Sequence, residues 1–408
     1  MGRSCTAYRT TRVDKRHLLL AAAITLAVYL LLAYSAYSVF TSQIPSGNDF
    51  YSRWRGTRAL LLEGKDPYSE EVTLEIQKGM YGRPARGDED QVAFAYPLYV
   101  SLYILPLAFL PYPQAQALWL SGLVFLTLAT VIITLRTFDW RPSSGGLLAL
   151  SLWCLLLYPT ARSIILGQFT IPVLALLALA LWAIKRGWDL LAGCSLALAT
   201  IKPQIIFLLI PFLLLWALRW RRYRIPGGFL AAMGVLLLLP SFILPTWIPS
   251  FLAGLSRYQA YTSLYTAGKS PLGILFDFLF PSQLSSWGIL LTSLMLGGYM
   301  IYGWVKALRG QGDTYQALFL TIIVTLLIPI QTGTTNQVLL LLPLIFWLAQ
   351  WAKRRWVATP LSSALLMGPW ALFLATVQGD AEHPVMFLPF PLFCMAVILG
   401  IRISSAEE

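Results

Sequence analysis

The chain has 408 residues, of which 57% are hydrophobic and 12% charged, with mean hydropathy +0.67 and net charge +12. A soluble domain carries roughly twice that charged fraction, so soluble globular and disordered classes are excluded. Apolar runs of about 16 to 24 residues recur along the whole length, each able to cross a hydrocarbon core of about 30 Å. Composition therefore predicts an all-α, polytopic transmembrane helical bundle of about 10–13 spans, with residues 1–408 forming a single membrane domain.

In a soluble protein, +12 would point to nucleic acid. Here the cations gather at span ends, in residues 9–16, 219–224 and 353–355, as cytoplasmic loops do under the positive-inside rule. No nucleic-acid partner is expected. Cys5, Cys154, Cys194 and Cys394 are scattered and make no disulfide or metal framework. His17 and His383 are too few for a zinc site. Neither a metal nor a cofactor is expected.

In chain order, a basic head precedes an apolar run, 18–40. The run is longer than a signal-peptide core and no cleavage site follows it, so an uncleaved first span with a cytoplasmic N-terminus is expected. Residues 41–96 then form an extracytoplasmic loop. The stretch 45–97 within and around it holds nine of the eighteen acidic residues: Asp49, Glu63, Asp66, Glu70, Glu71, Glu75, Asp88, Glu89 and Asp90. Residues 50–62 read as an amphipathic helix, with Phe50, Trp54 and Leu61 near one face and Arg53 and Arg55 off it. Asn48 or Asp49 caps it, Gly64 and Pro67 stop it, and it is expected to lie flat on the membrane surface.

Further candidate spans are 97–110, 115–135, 146–158, 169–184, 190–201, 204–218 and 229–244, then 287–308, 317–330, 338–351, 361–377 and 385–401. They divide into core spans within 97–245 and C-terminal spans within 285–402. The basic pair Lys185–Arg186 and the cluster 219–224 leave two threadings for 190–218. It is a hairpin, or one long helix kinked at Pro203. A second extracytoplasmic loop, 246–284, carries Arg257, Tyr258, Tyr261, Tyr265 and Lys269.

Asp49 lies just past the first span beside Phe50 and Tyr51. It can be a helix cap or a general base on a hydroxyl at the membrane boundary. Lys202-Pro203 interrupts a long apolar stretch, where a lone charge is costly. It either snorkels to an interface or faces a polar cavity whose backbone Pro203 frees. Arg162 and Gln168 flank a short break, and Arg257 and Lys269 are loop cations able to bind phosphate. Asp277 is an acid in an apolar setting. Asp88-Glu89-Asp90 has the form of a D-x-D metal motif but lacks the βαβ context such a motif needs. P-loop, G-x-S-x-G and H-E-x-x-H motifs are missing.

Several short motifs occur in order: N-D-F-Y (48–51), R-A-L-L-L-E-G-K-D-P-Y (58–68), F-A-Y-P-L (94–98), L-G-Q-F-T-I-P-V-L (166–174) and A-G-C-S-L-A-L-A-T-I-K-P-Q (192–204). Together they resemble glycosyltransferase family 87, integral-membrane enzymes of the GT-C class that use polyprenyl-phosphate sugars. The match covers residues 18 to about 245, with motif order stronger than any one pattern. Leu98, Thr170 and the histidine-free T-G-T-T-N-Q (332–337) depart from the family pattern.

The resemblance implies Asp49 as catalytic base and Lys202 near the lipid phosphate, and the loop cations Arg257 or Lys269 are expected to help Lys202 stabilise its charge. Tyr51, Gln168 and Tyr96 join these as candidate substrate-binding residues. It implies a polyprenyl-phosphate sugar donor, with mannose as the expected hexose, and a glycolipid or glycan acceptor among membrane lipids. Transfer would invert the anomeric carbon on the extracytoplasmic face. A transporter or lipid flippase is the competing class and would use Lys202 and Asp277 as substrate-binding charges.

Overall fold

A computed structural model describes residues 15–44, 49–87, 89–265, 270–328, 333–377 and 382–404. Their regular structure is all helical, with no strand among the described residues. Among the described residues five helices are long and apolar enough to cross a membrane, or six if the bent pair of 144–156 and 158–165 is one span.

Helix α1 (Lys15–Ala36) ends in a π-helical turn, Tyr37–Thr41. A polar cap follows, built from α2 (Asp49–Glu63), α3 (Glu70–Tyr81) and a segment containing α4 (Ser101–Ile104). The chain then enters α5 (Tyr112–Thr137). Thr41 donates to the Pro113 carbonyl at 2.7 Å and Tyr29 to that of Leu118 at 3.0 Å. Helices α1 and α5 therefore run antiparallel, and everything between them lies at one end of the bundle.

That relationship corrects the expected span 97–110. The segment is a 3-10 turn (Leu98–Val100), the single helical turn α4, and a second 3-10 turn (Leu105–Phe109). Pro97 and Pro106 interrupt its backbone ladder, and both its ends pack on α2. Trp54 donates to the Leu107 carbonyl at 3.1 Å, Arg58 to that of Ala108 at 2.8 Å, and Thr57 and Ser101 share a hydrogen bond of 2.9 Å. The same packing covers one face of α2 with protein. The Phe50–Trp54–Thr57 face of α2 is buried under protein, and Arg53, expected off that face, is 9% exposed. Outside, Arg55 bonds Glu63 at 2.6 Å and also Glu75, while Lys65 lies 2.7 Å from Glu75 and 2.9 Å from Glu71. This network ties α2 to α3.

Helices α6 (Ser144–Leu156) and α7 (Tyr158–Ile165) meet at a 62° bend and return the chain to the cap end. Helix α8 (Thr170–Arg186) runs alongside α5 in the same direction. Trp119 reaches the Gly167 carbonyl at one end (2.8 Å) and Lys185 the Thr137 carbonyl at the other (2.7 Å). Then come α9 (Asp189–Ala199), a break, and α10 (Leu209–Arg219). Arg222 binds Asp189 (3.1 Å from Nε to Oδ1) and the Ile184 carbonyl at 2.7 Å. Both ends of 189–222 thus sit together, which selects the hairpin over the long kinked helix. Its turn carries Lys202.

Helix α11 (Arg224–Ile243) packs on α9 backbone to backbone. A Cβ on Gly193 would lie 2.1 Å from the Ile225 carbonyl oxygen, the close approach that small residues permit between membrane helices. At the cap end α12 (Trp247–Tyr265) leans on the polar loop, with Ser250 donating to Asp66 at 3.1 Å. The chain goes on through α13 (Pro271–Leu279), α14 (Ser282–Leu308), α15 (Thr314–Leu327), α16 (Leu341–Trp351), α17 (Arg355–Thr376) and α18 (Pro389–Ser404). A 3-10 stretch, Thr334–Leu340, precedes α16 and packs against α7.

The bundle is therefore polarised. Asp49, Glu63, Asp66, Glu70, Glu71, Glu75, Glu89 and Asp90 belong to one end, the acidic end. Lys185, Arg186, Arg219 and Arg222 belong to the other, the basic end.

Candidate functional site

The site forms where α2, the α7–α8 break and the hairpin turn meet at the acidic end. Asp49 is the first residue of α2. Helix α7 stops at Gly167, whose φ of +69° favours glycine. A Cβ there would also lie 2.7 Å from the Cβ of Phe50. The indole of Trp119 donates to the Gly167 carbonyl at 2.8 Å and stacks on Phe50, with centroids 5.1 Å apart. The other neighbour is Phe169, at 4.7 Å from Trp119. One aromatic stack thereby fixes Phe50, next to Asp49, and Gly167 and Phe169, on either side of Gln168, and brings the two polar side chains together.

Gln168 is the bridge. Its amide nitrogen donates to Asp49 Oδ2, and its amide oxygen accepts from Lys202 Nζ at 2.9 Å. Lys202 sits in the hairpin break, where Pro203 starts a 3-10 turn instead of continuing α9. It is 5% exposed and Gln168 9%. A buried ammonium is tolerated when paired and hydrogen-bonded, and the chain of contacts to Asp49 supplies that.

Arg53 closes the other flank. It donates to the Asp49 carbonyl at 2.5 Å and to Ser52 Oγ at 2.7 Å, and lies 3.7 Å from Asp49 Oδ1. Its guanidinium lies over the Tyr96 ring, 4.3 Å from the centroid. Asp90 approaches from the 82–97 segment. Its Oδ1 is buried without a hydrogen-bond partner among the described residues. Burial, and then the charge of Asp49, push its carboxyl up to about 6, with Arg53 opposing them. Two carboxylates and two cations thus gather in one buried cluster.

Of the residues singled out in the sequence, Asp49, Gln168, Lys202 and Tyr96 come together here. Tyr51 points elsewhere: it packs edge-on against Tyr112 at 4.8 Å, and its hydroxyl fills the space a Cβ on Gly79 would take. Arg257 is on α12, donates to the Tyr68 carbonyl at 3.2 Å and lines a separate cavity. Lys269 lies outside the described residues. Arg162 pairs with Glu382 at 2.8 Å. Asp277 is exposed and accepts from Ser285 at 2.5 Å, so it does not belong to a shared cavity.

Sequence reasoning missed Arg53 and Asp90. Arg53 stands four residues after Asp49, so it returns to the same helix face. Asp90 was discounted with its D-x-D neighbours, of which Asp88 lies outside the described residues. Among the described residues no group of three or more His, Cys, Asp or Glu side chains could hold a metal ion.

The arrangement offers a carboxylate able to accept a proton. Beside it stand a lysine and an arginine able to stabilise an anion developing nearby. The sequence model of glycosyltransferase family 87 matches residues 94–329, which include Tyr96, Gln168, Lys202 and Arg257. No curated protein matches, and no solved structure does.

Proposed function

The chain belongs to glycosyltransferase family 87, and we propose that this membrane glycosyltransferase moves a hexose, mannose, from a polyprenyl monophosphate to an acceptor hydroxyl. We assign the basic end to the cytoplasm, in keeping with the positive-inside rule, and the acidic end to the extracytoplasmic face. A lipid-linked donor accounts for a protein built almost wholly of spans, because the tail can lie among helices while the head group meets the polar cap.

The reading rests on the hydrogen-bonded chain Asp49–Gln168–Lys202. Asp49 takes the proton of the acceptor hydroxyl as its oxygen bonds to the anomeric carbon. The bond from that carbon to the phosphate oxygen breaks on the opposite face. The electron pair leaves with the phosphate, whose growing charge Lys202 and Arg53 stabilise. A single displacement inverts the anomeric centre.

The test follows radiolabel from polyprenyl-phosphate mannose into membrane acceptors, in wild type and in Asp49→Asn expressed at the same level. Transfer by wild type with loss in the variant supports the reading. Equal transfer by both removes Asp49 from the chemistry. Turnover by purified protein in detergent, with no gradient, excludes a transporter.

A further inference from the structure

A cavity of about 470 Å³ opens at the acidic end between α3, the 84–94 segment and α12. The volume is in the range of small-molecule sites, about 300–1,000 Å³. Its back wall is aromatic and rigid: Tyr68 and Phe94 are buried and meet edge-on at 5.3 Å. Tyr68 is pinned further by its hydroxyl, which donates to the Tyr96 carbonyl at 2.7 Å.

The cavity is preformed. Gln77 on α3 accepts with Oε1 from the Ala85 amide at 3.0 Å and donates with Nε2 to Gln91 Oε1 at 3.4 Å, so the loop wall is held on α3. Its polar groups are a hydroxyl, Thr73, and these two amides. The charged lining residues are one acid, Glu70, and one base, Arg257, which cancel. A lining with no net charge does not select a phosphate. Hydroxyl and amide groups, with one charge of each sign, set against an aromatic wall suit a neutral ligand with many hydroxyls and one apolar face, which is a pyranose ring.

Position adds the second argument. The 90–96 segment is the partition between this cavity and the Asp49 cluster. It gives Asp90 and Tyr96 to the cluster and Gln91, Ala93 and Phe94 to the cavity. A ring in the cavity therefore sits one backbone thickness from the reacting centre.

We propose that this cavity is a sugar-binding subsite for a hexose ring of the acceptor, away from the hydroxyl that reacts. The proposal rests on the glycosyltransferase reading. It makes the acceptor an oligosaccharide-bearing molecule and gives Arg257 a role in acceptor recognition instead of phosphate binding.

The experiment uses the full chain purified in detergent and has two arms. In the first, saturation-transfer NMR reads binding of soluble mannotriose and maltotriose, with no donor present. Leu74→Trp fills the cavity from an exposed position on α3, and Arg257→Ala removes its cation. Wild type is expected to bind one of the trisaccharides, and each variant to lose most of the signal. In the second arm, acceptor KM is expected to rise about ten-fold in each variant, a loss of about 1.4 kcal/mol, with kcat within about two-fold. No binding by wild type, undiminished binding by Leu74→Trp, or a fall in kcat at constant KM each overturns the subsite. Binding that Leu74→Trp abolishes, in a protein that transfers no lipid-linked sugar, keeps the subsite and sinks the transfer reading instead.

Discussion

Lys202 is joined to Asp49 through one side-chain amide, that of Gln168, which binds the carboxylate with its nitrogen and the ammonium with its oxygen. The amide can be oriented only one way if both contacts are to be satisfied. Gln168→Ala breaks both and leaves a buried ammonium without its partner, at a cost of about 1–3 kcal/mol. We expect kcat to fall about a hundred-fold, the scale of a misplaced catalytic group. Gln168→Glu keeps a partner for Lys202 but sets a second anion against Asp49, so it should recover thermal stability without recovering kcat. Steady-state kinetics and thermal unfolding in detergent check the pair.

Asp49→Asn preserves size and an acceptor for Gln168 while removing the proton acceptor. General-base assistance is worth about 10²–10⁴-fold, so kcat should drop by that factor with little change in thermal midpoint. A loss of midpoint with retained turnover would falsify the base assignment and leave Asp49 a structural residue.

Asp90 gives a pH signature. Its folded pKa lies at about 6, above the unfolded value of about 3.9. The folded state therefore holds more protons between these values. Its stabilising contribution is full below about pH 4 and lost as pH rises through about 6. The span corresponds to on the order of 3 kcal/mol. Wild type should gain thermal stability from pH 7 to pH 5, and Asp90→Asn should flatten that gain. Differential scanning fluorimetry across this range decides it, and an unaltered slope in the variant contradicts the assignment.

Gly167→Ala tests the aromatic stack. The new Cβ must accept φ +69° and lie 2.7 Å from Phe50. Left-handed backbone strain and overpacking together cost about 2–4 kcal/mol. Because the displaced neighbour is adjacent to Asp49, kcat should fall along with the midpoint. Gly122→Ala, with open space around its Cβ, is the control and should change neither.

The membrane class, the polar cap and all four of Asp49, Gln168, Lys202 and Tyr96 were legible in the sequence, most of them as local departures from an apolar background. Lys202 stands out because a charge in hydrocarbon is costly. Gln168 stands out less, marked by the short break it flanks and by the family motif around it. Arg53 was hidden by helical periodicity read on apolar residues alone, which assigned it to the solvent side although it returns to Asp49 after one turn. The span 97–110 was misread because composition does not distinguish an apolar segment that crosses from one that folds back on α2. Its prolines were the signal. Asp90 reaches the site through the course of the 82–97 segment, which no spacing rule encodes.

Helices α9 and α10 have 11 residues each, about 16 Å at the helical rise, half the hydrocarbon thickness. Their turn is met from the acidic end by the 98–109 segment. Tyr99 donates to the Thr200 carbonyl at 3.0 Å and Tyr103 to that of Leu198 at 2.8 Å. Two incomplete crossings thus terminate on each other, each supplying the polar contacts that lipid would deny the other. During synthesis, the earlier piece emerges about 100 residues before its counterpart. The floor beneath the Asp49–Gln168–Lys202 cluster is therefore built from two pieces that are each too short to cross a hydrocarbon core of about 30 Å alone.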